Sequence, residues 1–329
     1  MTKLINDNGR IDYGVYDNII TDINYMDYNL EKPMGRKIRG AFKKFRFNQF
    51  NFIGIMGPEL MAGFAIVDFK GLSNGFFYIF DRKTNKLFET KRVGAGFNAS
   101  INTNPSCLDS QFSFPGLKIN LNGNKVSAKG KNIAIDATLG TDHKEPLRVC
   151  ARAGYRGWVY TEKTSPVTIS GTLEYDGKTI DLASPEYMAL IDWSAGFMRR
   201  NTYWNWAAIA GVLPDGRSIG LNLASGVNET AFTENAIWID GKMIKTDTIN
   251  FRFDQDDLMQ KWEITSYDKK LNLVFKPENF REERTNAFII GTRFTQLMGS
   301  FEGFVITNDG EKIEFTDVPG WTEDHYAKW

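Results

Sequence analysis

The sequence predicts an all-β protein built as two consecutive antiparallel barrels or sandwiches, with very little helix. Short segments of alternating apolar and polar residues recur from about residue 39 onward, which is the pattern of half-buried antiparallel strands. Helical periodicity is nearly absent. Five dipeptides separate the segments as tight hairpins would, because these residue types tolerate positive φ: Asn122-Gly123, Asp176-Gly177, Asp215-Gly216, Asp240-Gly241 and Asp309-Gly310.

The number of hairpins also predicts two domains. So many strands in 329 residues exceed what one open twisted sheet accommodates, so we expect closure into barrels or packed sandwiches. The polar stretch 162–166 ends in a proline between two strand-like runs, which places the boundary between domains 1–165 and 166–329. One short helix is predicted at 184–190, with Ser184 as its N-cap and Pro185 at its first position.

Composition excludes several classes of function. Forty Lys and Arg residues balance forty Asp and Glu residues, so the chain as a whole has no net charge to attract nucleic acid or an anionic membrane. Cys107 and Cys150 lack the paired spacing of thiolate metal sites, and His143 and His325 are too few for a multi-histidine centre. The chain has no signal-peptide pattern and no run of the roughly 20 apolar residues a membrane helix needs. We therefore expect a cytoplasmic protein with no metal and no stable membrane insertion.

A cluster of basic and aromatic residues within 36–52 superficially resembles a stacking surface for nucleic acid. The two-residue spacing of Phe45 and Phe47, and of Phe50 and Phe52, favours a half-buried strand with the cations on its solvated face. With charge balanced elsewhere, we expect no nucleic-acid partner.

The segment 192–206 is the richest in chemistry, since it contains one acid, two arginines and five aromatic residues. In an extended chain, Arg200, Thr202, Trp204 and Trp206 share one face. Polar groups that converge among aromatic rings favour a ligand pocket. The alternative is that the indoles belong to the core and the polar side chains to the surface. The predicted ligand-binding residues are Trp193, Arg200, Tyr203, Trp204, Trp206 and Asn222.

Two acids are candidates for catalysis. Asp192 lies beside Trp193, where burial would raise its pKa and make it a general acid; capping a turn or pairing with Arg199 or Arg200 would instead make it structural. Glu234, in a second acidic and amide-rich cluster, is the second candidate for an acid or base. The aromatic C-terminal segment 320–329 is expected to dock on the body of the protein.

These residues together resemble a known family. The order of the segments 158–163, 192–196, 204–206, 220–223, 234–235, 240–241 and 323–329 is similar to the bacterial domain of unknown function family 2804. More remotely, the chain is similar to the lipocalin-like superfamily that includes carotenoid 1,2-hydratase, tocopherol cyclase and certain Diels–Alderase proteins, which are built as two consecutive antiparallel barrels.

The remote resemblance implies a pocket for a hydrophobic, often isoprenoid, small molecule and no cofactor. It further implies a carboxylic acid that protonates an alkene while aromatic rings shelter the resulting cation. Asp192, Trp193, Tyr203, Trp204 and Trp206 would be the counterparts by residue type. The expected function is thus cofactor-independent acid/base chemistry of hydratase, cyclase or isomerase type. A non-catalytic carrier of a lipid or isoprenoid and a carbohydrate-active protein with two acids roughly 5–10 Å apart are the alternatives.

Overall fold

The computed structural model confirms the all-β prediction. It describes residues 1–141, 145–227, 232–287 and 290–328, and within them it contains two antiparallel sheets and almost no helix. Eleven strands of the first sheet form a nearly closed barrel, and the nine strands of the second form a curled half-barrel. Each sheet encloses its own apolar core.

The first sheet contains fourteen strands: β1 Gly14–Val15, β2 Asn48–Met56, β3 Leu60–Asp68, β4 Leu72–Asp81, β5 Lys86–Ala95, β6 Ala99–Ile101, β7 Ser110–Phe114, β8 Leu117–Asn122, β9 Lys125–Lys129, β10 Ile133–Leu139, β11 Leu147–Ala153, β12 Gly157–Tyr175, β13 Lys178–Asp181 and β14 Met188–Phe197. The barrel order is β5-β4-β3-β2-β14-β12-β10-β9-β8-β7-β6; β11 and β13 also pair with β12, and β1 pairs with β11.

The second sheet has the order β18-β17-β16-β15-β23-β22-β21-β20-β19. Its strands are β15 Asn201–Val212, β16 Ser218–Ser225, β17 Ala236–Ile239, β18 Lys242–Lys245, β19 Ile249–Arg252, β20 Trp262–Ser266, β21 Leu271–Ala287, β22 Ile290–Ile306 and β23 Lys312–Lys328. Helical structure in the described residues is limited to the five-residue helix α1 Gly40–Lys44 and the 3₁₀ turns Tyr25–Asp27 and Gly96–Asn98.

All five predicted hairpin turns are present, and their glycines adopt positive φ. The predicted helix 184–190 is wrong. Ser184 begins only a single turn, in which its carbonyl accepts from the Tyr187 amide at 3.0 Å, and β14 begins at Met188. The reason is tertiary, because pairing of β14 with β2 and β12 on both sides satisfies more backbone groups than one isolated helical turn.

The strand predicted across Phe45 and Phe47 begins later than expected. Residues 40–44 form α1, Phe45 caps it, and the strand starts at Asn48. Phe47 is buried as predicted, but Phe42 and Phe45 are exposed. The basic residues of the cluster therefore lie on α1 and the residues that flank it, and Phe50 and Phe52 lie on the strand that follows.

The chain passes from one sheet to the other between Phe197 and Asn201. Residues 166–197 thus complete the first sheet. The proline at the predicted boundary does not end β12, because Pro166 lies at an irregularity of its pairing with β14, between Thr164 and Val167, where a strand tolerates a missing N–H. The division into folding units 1–165 and 166–329 stays a prediction, since sheet membership does not test independent folding.

A shared apolar layer joins the two sheets. It contains Phe52, Met56, Met61, Ala65, Tyr78, Phe80 and Leu190 from the first sheet, and Trp206, Ala208, Ala210, Met298 and Trp321 from the second. The Trp321 ring packs directly on Gly54, where a Cβ would lie 2.6 Å from it. Beside this layer the backbones approach closely, and Ser165 Oγ donates to the Ile209 carbonyl at 2.6 Å. None of the helices in the described part of the chain has the length and apolarity needed to cross a bilayer.

The close approach of the sheets predicts that Gly220→Ala destabilises the protein. A Cβ at Gly220 would lie 2.4 Å from the carbonyl group of Ser165, and backbone cannot move aside as a flexible side chain would. We expect a loss of about 1–3 kcal/mol in the free energy of unfolding, measured by chemical denaturation. Gly211→Ala is the control, because its Cβ first meets a Val318 methyl at 3.4 Å. Equal stability of the two variants would contradict the proposed contact.

Candidate active site

A cavity of about 690 Å³ lies between the two sheets, next to the shared apolar layer. Strands β2, β4, β12 and β14 supply most of its wall on the first sheet, and β15, β21, β22 and β23 supply most of it on the second. Aromatic rings form much of the wall: Phe50, Phe52, Phe69, Phe76, Trp204, Trp206 and Phe294. A mostly apolar cavity of this size with a few polar groups is typical of a small-molecule site.

The register of the second sheet orders the residues of its wall into rows. β23 lies between β15 and β22, and Glu323 is directly opposite Trp206 on one side and Gln296 on the other. Two residues further along β23, His325 is directly opposite Trp204 on one side and Phe294 on the other. Because side chains two residues apart share a face, all of these point to the cavity.

Glu323 has an unusual environment for a carboxyl group. Its Oε2 accepts from the Trp204 indole N–H at 3.3 Å, and its Oε1 accepts from Gln296 Nε2 at 2.7 Å. Burial raises the pKa of Glu323 to about 7, helped by the nearby negative charge of Asp192 and opposed by these hydrogen bonds and by Arg281. At neutral pH the group is therefore present in both its acid and its carboxylate form, as a general acid requires.

His325 is neutral at the same pH. Its ring centroid lies 4.0 Å from that of Trp204 and 4.8 Å from that of Phe294, and its Nε2 is 3.0 Å from Thr292 Oγ1. Burial and the positive charge of Arg281 lower the pKa of His325 to about 3. The imidazole thus acts as part of the wall and adds no cation to it.

A buried charge cluster lies on the opposite wall. Lys163 on β12 is directly across from Asp192 on β14, and its Nζ forms ion pairs with Asp192 Oδ2 and, at 3.2 Å, with Glu234 Oε2. All three side chains are less than one tenth exposed. Burial opposes the charge of Lys163, but the two carboxylates outweigh it and raise the pKa of the lysine. The cluster therefore holds an ammonium between two acids.

Arg281 on β21 brings a second buried cation to the cavity wall. Its Nε donates to Glu89 Oε1 of the first sheet at 2.8 Å, so this ion pair also ties the sheets together. The guanidinium lies over the rings of Phe76, at 4.2 Å, and Tyr78, at 4.9 Å. Stacking and the two hydrogen bonds that Nε and Nη2 donate to Glu89 Oε1 fix the position of this charge.

The structure places four predicted site residues at the cavity wall: Asp192, Glu234, Trp204 and Trp206. Asp192 pairs with Lys163. Neither Arg199 nor Arg200, the two partners considered from the sequence, is the observed one. The ion pair with Lys163 favours a charge-balancing role for Asp192. Catalytic participation of Asp192 and Glu234 stays a prediction.

The other four predicted residues lie away from the wall. Trp193 alternates to the opposite face of β14 and is buried in the core of the first barrel. Arg200 precedes β15 and is exposed. Tyr203 points outward, is 60% exposed, and stacks under the Arg199 guanidinium at 6.0 Å. The positions of Trp193 and Tyr203 follow from strand alternation, since only the face of Thr202 and Trp204 meets the other sheet, whereas Arg200 lies before β15 begins.

Asn222 acts behind the wall. Its Oδ1 accepts from the Trp206 indole N–H at 2.9 Å, and its Nδ2 donates to the Glu234 carbonyl at 2.7 Å. It therefore links one ring and one acid of the cavity and fixes the position of both.

Sequence reasoning missed Glu323 and Lys163. The same alternation that singled out Trp204 and Trp206 places Trp321, Glu323 and His325 on one face of β23, so a signal for Glu323 was present in the last segment. For Lys163 the signal was weaker, because it lies in the polar stretch 162–166 and is only marked as the single cation of β12. Neither residue's neighbours could be identified without the pairing of the strands.

Metal ligands are not gathered in this site. Over residues 1–141, 145–227, 232–287 and 290–328, no group of three or more His, Cys, Asp or Glu side chains has an arrangement that could hold a metal ion. His143, one of the two histidines considered from the sequence, lies outside these ranges.

The architecture is similar to that of two solved structures. Kievitone hydratase from Nectria haematococca matches with a TM-score of 0.56 and 12% identity, over 85% of this chain and 88% of that one. An AttH candidate from Nitrosomonas europaea matches with a TM-score of 0.54 and 12% identity, over 87% of this chain and 94% of that one. At this identity the likeness concerns the fold.

Sequence comparison identifies the family. No curated protein matches the sequence. The model of one family, described as a domain of unknown function, matches residues 1–329 and so confirms the resemblance drawn from the order of the sequence motifs. The chain belongs to the DUF2804 family.

Proposed function

We propose that this protein is a cofactor-independent enzyme that adds water to, or removes it from, a carbon–carbon double bond of a hydrophobic small molecule. One observation carries the proposal: the Glu323 carboxyl group lies at the wall of an apolar cavity, between Trp206 and Gln296, with its pKa raised to about 7. The fold likeness to a hydratase supports the same reaction class. An unsaturated substrate, of which isoprenoids are one class, fits the aromatic wall.

The chain's own residues suffice for the proton transfers. Glu323 in its acid form donates a proton to one alkene carbon, and the electron pair of the double bond forms the new C–H bond. The rings of Trp204 and Trp206 stabilise the cation left on the other carbon, and the mostly apolar wall of the cavity limits side reactions. Water then adds to the cation, and the Glu323 carboxylate takes up the proton that this water releases.

The hydrogen-bond partners of the three acids favour Glu323 as the proton donor over the acids proposed from sequence. Asp192 and Glu234 both pair with the Lys163 ammonium, whereas the described partners of the Glu323 carboxyl group are the neutral donors Trp204 and Gln296. In the proposed mechanism Asp192 acts through its charge, which disfavours ionisation of Glu323 and so helps to raise its pKa.

The two alternatives drawn from the sequence remain testable beside this proposal. A carrier would use the same apolar cavity without needing an acid in it. A carbohydrate-active enzyme fits less well, because a mostly apolar wall leaves sugar hydroxyls without hydrogen-bond partners. Asp192 and Glu234, the two acids proposed from sequence, also share one ammonium, that of Lys163.

Glu323→Gln is expected to abolish turnover. The variant keeps the size of the side chain and removes the proton donor, so the rate should fall about 100-fold or more. The measurement is mass spectrometry of an apolar extract of the source organism, incubated with the protein in oxygen-labelled water, in which a hydratase yields a product heavier by one labelled water. Asp324→Asn is the matched control, since Asp324 accepts from Asn205 Nδ2 at 3.1 Å on the other face of β23.

The same experiment separates the alternatives. Full activity of Glu323→Gln would contradict the proposed proton donor. A wild-type protein that retains an unchanged apolar compound in native mass spectrometry, and converts nothing in the extract, would favour the carrier.

The raised pKa of Glu323 predicts a pH-dependent difference in stability between wild type and Glu323→Gln. The folded protein holds this proton more tightly than the unfolded chain, whose pKa is near the ordinary 4.5, so the carboxyl contributes stability below about pH 4.5 that is lost as pH rises through about 7. Relative to wild type, the glutamine variant should therefore gain up to about 3 kcal/mol between these limits. Denaturation curves across this range measure the difference, and parallel curves for the two proteins would contradict the shift.

Asp192→Asn is expected to move the alkaline limb of the pH–activity profile to lower pH. Removing the charge of Asp192 lowers the pKa of Glu323, so the acid form is lost earlier as pH rises. Lys163 keeps Glu234 as a partner in this variant, which protects the fold. A complete loss of activity at every pH, with an unchanged melting temperature, would instead favour Asp192 as the catalytic acid.

A further inference from the structure

An exposed aromatic surface lies beside the cavity. Phe42 on α1 is 81% exposed, Phe45 at its end is 58% exposed, and Phe97 in the turn after β5 is 89% exposed. Single exposed apolar residues are normal, but several large rings close together usually mark an interaction surface. We define the docking surface as Phe42, Phe45 and Phe97 together with the segment 32–46.

The turn between β3 and β4 joins these rings to one another. The Phe45 ring is 3.8 Å from the position that a Cβ of Gly71 would occupy. Gly96, the residue before Phe97, donates its N–H to the Gly71 carbonyl at 3.0 Å. Both aromatic segments therefore pack on one short turn and project from the same end of the barrel.

The apolar surface continues into the cavity. Leu72, the residue after Gly71, lines the cavity and is also 42% exposed, and Val93 on β5 lines it and is 61% exposed. These residues form an apolar path from the docking surface to the cavity wall. A hydrophobic molecule that follows this path stays in contact with apolar side chains.

The segment 32–46 is strongly basic although the chain as a whole is neutral. It contains seven Lys and Arg residues and no Asp or Glu. Six of the seven are exposed: Lys32, Arg36, Lys37, Arg39, Lys44 and Arg46. Positive charge concentrated around exposed rings is complementary to an anionic surface that has an apolar interior.

The remaining cation of the segment anchors the helix. Lys43 is buried, and its Nζ donates to the Met26 carbonyl, while Phe47 stacks on Tyr25 with ring centroids 3.8 Å apart. These contacts hold α1 against the body of the barrel, so Phe42 and Phe45 remain turned outward. The aromatic rings are thus presented on an ordered support.

We propose that this surface docks on an anionic lipid bilayer and that the cavity exchanges its hydrophobic ligand with the membrane. The phenylalanines enter the boundary between headgroups and acyl chains, and the six exposed cations contact the headgroups. A bilayer is favoured over nucleic acid because the apolar path into the cavity has a use only for a lipophilic ligand. The proposal concerns how the ligand arrives and is independent of the reaction assigned to Glu323.

Co-flotation of the full-length protein with vesicles tests the proposal. We expect the protein to float with vesicles of phosphatidylcholine and phosphatidylglycerol, to bind vesicles of phosphatidylcholine alone at least tenfold more weakly, and to dissociate as salt is raised. Each cation near an anionic bilayer contributes about fivefold in affinity, so Lys44→Glu with Arg46→Glu should lower binding by tenfold or more. Phe42→Ser with Phe45→Ser should lower it by a similar factor.

Matched controls make use of exposed residues elsewhere. Tyr267→Ser removes a ring as exposed as Phe42, at 81%, and Lys118→Glu with Lys125→Glu reverses two exposed cations; both variants should bind as wild type does. Unchanged melting temperatures would show that the docking variants are folded. The proposal is overturned if anionic vesicles do not bind the protein, if the docking variants bind like wild type, or if a single-stranded oligonucleotide binds in place of the vesicles and loses affinity in the same variants.

Discussion

Removal of the Glu323 carboxyl group from water is the constraint on which the rest of the site depends. The packing of the two sheets achieves it, because Phe52 of the first sheet packs edge-on against Trp206, which lies directly opposite Glu323, and against Trp321, which precedes Glu323 by two residues on the same face of β23. Each sheet alone would leave this face of β23 exposed to solvent. The chemistry of the site is therefore a property of how the sheets meet.

The charges around the cavity are balanced so that the acid can remain uncharged. Lys163 is paired with Asp192 and Glu234, and Arg281 is paired with Glu89. A buried ion that lacks a partner costs several kcal/mol, on the order of what would unfold a marginal protein. Pairing both cations with other acids leaves neither in a direct ion pair with Glu323. Burial among apolar rings, helped by the charge of Asp192, then raises the pKa of its carboxyl group, and the hydrogen bonds from Trp204 and Gln296 offset only part of this rise.

Local sequence signals predicted the elements well and their neighbours poorly. Five turn dipeptides and the alternation of β15 followed from residue types alone, and with them the cavity positions of Trp204 and Trp206. The helix expected at 184–190 failed because pairing across strands outweighed a local cap. Lys163, Asp192 and Glu323 lie far apart in the chain and come together through strand register and the packing of two sheets, which no single segment of sequence specifies.

The carboxyl group at position 323 is not required for packing, which is the strongest structural argument that its proton is used. Its two hydrogen bonds come from the Trp204 indole and the Gln296 amide, and a glutamine could satisfy both neighbours. It would accept from Trp204 and donate to Gln296 Oε1, a buried atom that has no hydrogen-bond partner among the described residues, after a local turn of the amide. An amide would also avoid the cost of ionisation in an apolar site. A titratable acid where a neutral isostere fits marks a functional group in the same way as other strongly shifted residues in clefts.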